Sequence, residues 1–130
     1  MPERPLSPHL SVYKFKYTLA TSILNRFAGL ILSAGLAILV YWLMALAAGV
    51  HAYVQARALL SLAVMKVLYT LLLAAFAYHL VAGIRHLVWD TGRGLERKTA
   101  ERSAWLVAWV SLVLTLILAY CFLRPGAYTP

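Results

Sequence analysis

His79 is the residue whose type and setting most directly imply chemistry. It stands in Ala77-Tyr78-His79-Leu80-Val81-Ala82-Gly83-Ile84-Arg85-His86, close to the end of a long apolar run. A neutral imidazole is the commonest protein metal ligand. An ionisable group in a hydrocarbon setting usually faces a cavity, a partner or a cofactor. In a helix, Gly83 at i+4 and His86 at i+7 share the face of His79, and the two histidines stand about 10 Å apart. Gly83 lacks a side chain, so something bulky and flat can approach the backbone there. Arg85 and His86 fall at the end of the run, and Asp90 lies one turn beyond His86, placed to hold its ring. A haem fits this layout: its iron takes an axial ligand in the apolar zone, and its propionates take cations near water. The same spacing is open to a second reading, in which His79 is an interhelical hydrogen-bonder. The other histidines, His9 and His51, lie elsewhere in the chain. A six-coordinate haem would therefore draw its opposite ligand from another subunit.

A second constellation is Ser22-Ile23-Leu24-Asn25-Arg26, where Ser22, Asn25 and Arg26 sit at i, i+3 and i+4 and share a helix face. A hydroxyl, an amide and a guanidinium there make a polar pocket beside hydrocarbon. A quinone needs apolar walls for its tail and donors for its carbonyl oxygens. Arg26 suits the negative charge that develops on reduction, and Ser22 can donate to a carbonyl. The plainer alternative is a helix start bearing interfacial polar residues and an arginine that sets topology. Gly29, on the same face, suits close helix packing.

The elements that must position these residues are membrane helices. The chain has 130 residues, 63% of them hydrophobic, and a formal net charge of +8. Soluble domains are nearer 45–50% apolar. Three runs carry the excess: Phe27 to Val50 without a charge, Ala58 to Ile84 with Lys66 alone, and Ser103 to Leu123 without a charge. Each meets the roughly 20 apolar residues that a helix needs to cross a bilayer. The fold class expected is an all-α membrane protein with three transmembrane helices, roughly 21–50, 58–89 and 103–124, in a single membrane-anchor domain over 1–130. The first run begins too far into the chain and is too long for a cleavable signal peptide. No Arg-rich presequence precedes it, which points to a bacterial inner membrane, the protein being multi-pass, or to a processed organellar protein. Cys121 stands alone and excludes an intrachain disulfide. It reads as a small apolar residue of the third helix.

The basic residues are distributed as topology requires, which argues against a nucleic-acid partner. Arg4, Lys14, Lys16 and Arg26 precede or open the first helix; Arg85, Arg93, Arg97, Lys98 and Arg102 surround the second junction. The first loop, around 51–57, has only Arg57, and the tail only Arg124. Positive residues stay inside, so the N-terminus is expected in the cytoplasm and the C-terminus outside. Tyr13, Tyr17, Trp89 and Trp105 then fall at the inner interface, Tyr53 and Tyr128 at the outer one, and Lys66 snorkels outward. The second loop, Thr91 to Lys98, reads as a solvated connector whose charges could also dock a soluble partner. No inverted repeat or pair of broken helices marks a transporter.

Together these segments resemble the cytochrome b membrane-anchor subunits of succinate dehydrogenase (respiratory complex II, succinate:quinone oxidoreductase). The resemblance rests on Arg4-Pro5-Leu6-Ser7-Pro8-His9-Leu10-Ser11-Val12-Tyr13, on Ser22-Ile23-Leu24-Asn25-Arg26-Phe27-Ala28-Gly29, and on His79-Leu80-Val81-Ala82-Gly83-Ile84-Arg85-His86-Leu87-Val88-Trp89-Asp90. The second is similar to the family's S-I-x-H-R-x-(S/T)-G pattern, and the third to its H-x-x-x-G-x-R-H-x-x-x-D pattern. The resemblance implies that His79 is the axial ligand of a haem b shared with a second small anchor subunit. It implies that Ser22 and Arg26 line a ubiquinone site, that Arg26, Arg85 and His86 lie near the haem propionates, and that Asn25, Gly83 and Asp90 support them. Asn25 departs from the pattern, where the family often has histidine: an amide still hydrogen-bonds but carries no charge. Residues 9–17 would run along the cytoplasmic face beneath an iron–sulfur subunit. A flavoprotein subunit would complete the head that oxidises succinate, so this chain is non-catalytic alone. It has no cysteine cluster for an iron–sulfur centre. Two other readings stand beside it, the anchor of a fumarate reductase and a structural anchor without a redox role. Other haem b quinone oxidoreductases would carry several ligand histidines in one chain.

Overall fold

The computed structural model describes residues 17–123. The N-terminal segment with His9, Lys14 and Lys16, and the tail with Arg124 and Tyr128, lie outside the described residues, as does nearly all of the expected 9–17 surface segment. The described residues form α1 (Tyr17–Ala47), α2 (Val50–Leu60), α3 (Ala63–Asp90) and α4 (Arg97–Leu123), with no strand among them. Three of these, α1, α3 and α4, are long and apolar enough to cross a membrane. The chain is thus an all-α membrane protein with three apolar spans.

A fourth helix occupies the expected first loop. Nothing between Gly49 and Ser61 breaks a helix, and Val50-His51-Ala52-Tyr53-Val54-Gln55-Ala56-Arg57-Ala58-Leu59-Leu60 coils into α2. The break itself comes at Gly49, whose φ of 104° is a left-handed value that suits glycine. Ala58 to Leu60 therefore belong to α2, and the second span begins at Ala63. The joint is tied by the Tyr69 hydroxyl, which donates to the Leu60 carbonyl at 3.1 Å. At the other end α4 starts at Arg97, earlier than the apolar run, because Arg97-Lys98-Thr99-Ala100-Glu101-Arg102 continues the same helix. Arg97 and Glu101 pair across one turn at 3.5 Å, with both side chains exposed. The connection before it turns at Gly92 and Gly94, both at positive φ.

The central span is α3, which packs on both α1 and α4, while α1 also meets α2 and α4. The interior is built from small side chains. Ala28, Ala45, Ala56, Ala75, Ala77, Ala82 and Ala104 are buried, and among the described residues Val107 is the largest side chain that is fully so. Large apolar residues such as Leu30, Met44, Val67 and Leu116 point outward. This is the pattern expected where lipid replaces water: helices gain little by hiding leucines and associate through close backbone approach. Gly35 leaves the least room among the described glycines, since an added Cβ there would lie 2.5 Å from Leu72 Cδ2. Several hydroxyl groups within the spans bond to their own helix. Ser33 donates to the Gly29 carbonyl at 3.0 Å, Thr70 to Lys66 at 2.9 Å and Thr115 to Ser111 at 2.7 Å.

Candidate cofactor and quinone site

The residues singled out by spacing gather at the charged end of the bundle, where α1 begins, α3 ends and α4 begins. His79 is half-buried on α3, facing α1. Its Nδ1 lies 3.2 Å from the backbone carbonyl oxygen of Asn25. A carbonyl can only accept, so Nδ1 is the donor in this contact and Nε2 is the nitrogen left over. The contact depends on Gly29. In a helix the carbonyl of residue 25 points toward residue 29, and a Cβ on Gly29 would stand 3.2 Å from His79 Cε1. The glycine read from sequence as a packing residue therefore opens the space the imidazole enters.

Asn25 contributes twice. Its backbone receives His79, and its side-chain oxygen Oδ1 is buried with no hydrogen-bond partner. Unpaired buried polar atoms are uncommon and need an explanation. Ser22 and Arg26 share the helix face with Asn25; Ser22 is half-buried and Arg26 exposed. Neither makes a hydrogen bond or ion pair within the chain among the described residues. On α3, an added Cβ at Gly83 would meet nothing within 4 Å, so the His79 face is open there. His86 stays on that face, half-buried.

Two expectations about this cluster change. Asp90 does not hold the His86 ring. The His86 Nδ1 is 2.7 Å from the Ala82 carbonyl on its own helix, its ring meets Trp89 edge-on at 5.3 Å, and Asp90 is exposed. A helical side chain leans toward the preceding turn, and the ring finds an acceptor there first. Arg85, expected beside His86 near the cofactor, instead turns into the bundle. It is 8% exposed. Its Nε donates to Ser103 Oγ at 2.9 Å, one terminal nitrogen donates to the Ala100 carbonyl at 2.9 Å, and the other to Thr21 Oγ1 at 3.5 Å. Its guanidinium also stacks 3.9 Å above the Trp89 ring. Six positions separate it from His79, which puts it about 120° round the helix.

Thr21, Tyr78 and Ser103 are the residues that spacing along single helices missed. Thr21 is buried, and its carbonyl accepts the Tyr78 hydroxyl at 3.0 Å, one residue before His79 on α3 and four before Asn25 on α1. The available signal was Arg85 itself. A guanidinium turned into a membrane bundle demands acceptors, and Thr21 and Ser103 are hydroxyls at its depth on the neighbouring spans. Among the described residues no three of His, Cys, Asp or Glu come together as a metal cluster.

The fold and this geometry define a class: small membrane proteins whose spans are tied around one imidazole with its second nitrogen left over. Comparison with known proteins gives the family. The chain belongs to the succinate dehydrogenase/fumarate reductase transmembrane subunits, whose family model matches residues 1–118. It is 37% identical over 116 residues to the succinate dehydrogenase cytochrome b556 subunit of Rickettsia felis, covering 89% of this chain and 90% of that one. With the cytochrome b556 subunit of Paracoccus denitrificans the identity is 39% over 122 residues, covering 92% and 94%. The human mitochondrial succinate dehydrogenase cytochrome b560 subunit is 34% identical over 116 residues, covering 88% and 66%.

Proposed function

We propose that this chain is the haem b-binding anchor of a bacterial succinate:quinone oxidoreductase, seated in the inner membrane with its N-terminus in the cytoplasm. The observation that carries the reading is the His79–Asn25 bond at 3.2 Å. Metal-bound histidines almost always donate their other ring N–H to a carbonyl or carboxylate, which fixes tautomer and orientation. His79 has that arrangement inside an apolar span, with Nε2 left to ligate. The name "cytochrome b556" borne by relatives at 37% and 39% identity supports the same group.

The residues present fit a haem on two counts: the oriented imidazole of His79 and the open face at Gly83. Arg26, exposed and without an ion pair among the described residues, and His86 would meet propionates near the membrane surface. Arg85, which the resemblance also sets near the propionates, ties α3 to α4 and α1. A bound haem b supplies one-electron redox capacity near the quinone. A haem held by His79 would take any further protein ligand from a second small anchor subunit, since no other described histidine shares this depth.

Ubiquinone is the substrate of this region. Ser22 donates to one quinone carbonyl, and Arg26 offsets the negative charge that builds as electrons arrive. Two electrons and two protons convert the quinone to quinol. The electrons come from an iron–sulfur subunit bound at the cytoplasmic surface, which a flavoprotein subunit supplies from succinate. The cited relatives, all named for succinate dehydrogenase, favour that direction over fumarate reduction.

The test is a reduced-minus-oxidised visible spectrum of the purified complex. The assembled wild-type complex should show a low-spin b-type haem, and His79→Ala should remove or strongly perturb it. An unchanged spectrum in His79→Ala would overturn the ligand assignment, and a complex without any haem band would leave a purely structural anchor.

A further inference from the structure

Ser22 and Arg26, the two residues assigned above to the quinone, each follow directly on a residue whose carbonyl is held from α3. The Tyr78 hydroxyl donates to the Thr21 carbonyl at 3.0 Å, and His79 Nδ1 meets the Asn25 carbonyl at 3.2 Å. The carbonyl of residue 21 and the amide nitrogen of residue 22 belong to one planar peptide unit, as do those of 25 and 26. A bond to that oxygen therefore fixes the plane from which the next residue departs. Thr21 and Asn25 are four apart, about one turn of α1, so the two grips fall one above the other on the helix.

Thr21 is the more firmly enclosed of the two. It is only 4% exposed. Besides the Tyr78 bond to its backbone, its hydroxyl has a longer contact with Arg85 Nη1 at 3.5 Å. Tyr78 and Arg85 are seven positions apart and share one face of α3, so both reach the same residue of α1 from one side. The carbonyl has two lone pairs, one for the helical N–H four residues on and one for the phenol. The Tyr78 bond is thus added to the helix without breaking it.

Ser22 has need of such support. It lies in the second turn of α1, and helix ends open more readily than their middles. Ser33, Thr70 and Thr115 each spend their hydroxyl on a carbonyl of their own helix. Ser22 makes no such bond among the described residues. Where its hydroxyl can reach is therefore set by where the backbone puts it.

We propose that Tyr78 is a positioning residue for quinone reduction: by gripping the peptide between residues 21 and 22, it holds Ser22 where its hydroxyl meets a quinone carbonyl. The role rests on the quinone reading of Ser22 given above. It acts on binding, because the Ser22 bond is made to the quinone before electrons arrive. Loss of an interaction present in both ground and transition states raises KM and spares kcat.

The test measures succinate-driven reduction of a soluble short-chain ubiquinone by the assembled complex. Tyr78→Phe keeps the ring and removes the donor. It should raise the KM for the quinone about two- to tenfold, the factor for one neutral hydrogen bond, with kcat little changed. Ser22→Ala should also raise KM, and adding Tyr78→Phe to it should have no further effect, because nothing is left to aim. Tyr69→Phe is the control. It removes a phenol–carbonyl bond of nearly equal length, 3.1 Å, toward the other end of α3, and should leave KM unchanged. Tyr78→Leu, which also lacks the donor, takes the place of Tyr78→Phe if that variant does not assemble. A raised KM in Ser22→Ala with an unchanged one in Tyr78→Phe overturns the positioning role alone. Additive losses in the double variant overturn it too, since Tyr78 would then act elsewhere. So does an equal rise in Tyr69→Phe, which would mean general loosening of the bundle. An unchanged KM in Ser22→Ala overturns the quinone reading itself, and the positioning role with it.

Discussion

The imidazole of His79 reaches across from α3 to the backbone carbonyl of Asn25 on α1, 3.2 Å away, through the gap left by Gly29. The bond joins the two constellations that lie far apart in sequence. Asn25 sits one residue before Arg26 and three after Ser22, so whatever binds beside those side chains shares a backbone segment with the proposed iron ligand. A displacement of α1 at this level moves both.

Gly29→Ala is the smallest change that presses on this bond. The added methyl would stand 3.2 Å from His79 Cε1, tighter than ordinary van der Waals contact, so the ring must shift by a few tenths of an ångström. Overpacking of this kind costs about 1–3 kcal/mol. The assembled complex should retain haem with altered low-spin electron paramagnetic resonance positions, while Gly29→Val should lose much of the haem. Identical spectra in both variants would show that the ring does not depend on this space.

Arg26→Ala should separate two activities. Quinone reduction by the complex should fall steeply, because the group proposed to offset charge on the reduced ring is gone. Succinate oxidation with a soluble dye should stay close to wild type, since that reaction bypasses the anchor. Equal loss of both in an assembled complex would argue against a local quinone role.

Arg85 should matter to the fold more than to the redox chemistry. Its side chain ties α3 to α4 through Ser103 and Ala100 and to α1 through Thr21. Arg85→Ala removes three cross-helix bonds from a charged donor, and such bonds are worth about 1.5–3 kcal/mol each. Arg85→Lys should rescue little, because a point charge cannot reproduce the guanidinium fork or its stacking on Trp89. Detergent-induced unfolding of the complex should show both losses, and full rescue by lysine would contradict the three-way tie.

At the opposite end, Gly49→Ala forces a Cβ into a φ of 104°. The strain is about 1–3 kcal/mol, and it falls on the α1–α2 joint, remote from His79. A lower unfolding midpoint with an unchanged haem spectrum is the expected result. A changed spectrum would show that the joint and the proposed haem face are coupled.

The three spans were legible because charge-free runs of bilayer length admit few other structures. The break at Gly49 was hidden, since Val50 to Leu60 is as helix-compatible as the runs on either side and only a backbone angle separates α2 from α1. The shared face of His79, Gly83 and His86 follows from helical spacing alone, and so does that of Ser22, Asn25 and Arg26. What spacing could not give was direction between helices. Arg85 is adjacent to His86 in sequence yet faces Thr21 and Ser103, and the acceptor for His79 is a main-chain oxygen, which carries no sequence signature. Gly29 was noticed for its size, but its use as a window onto the Asn25 carbonyl depends on a ring from another span.

The alanine interior inverts the usual rule of mutational tolerance. In a water-soluble domain the large residues of the core are the constrained ones and the surface drifts. Here Ala28, Ala75, Ala77, Ala82 and Ala104 are the buried positions, where an extra carbon would push whole spans apart. The leucines, valines and phenylalanines outside can be exchanged for one another so long as they remain oily. Random mutagenesis of this chain should therefore eliminate larger side chains at the inward alanines and accept wide hydrophobic variety at Leu30, Met44, Val67 and Leu116.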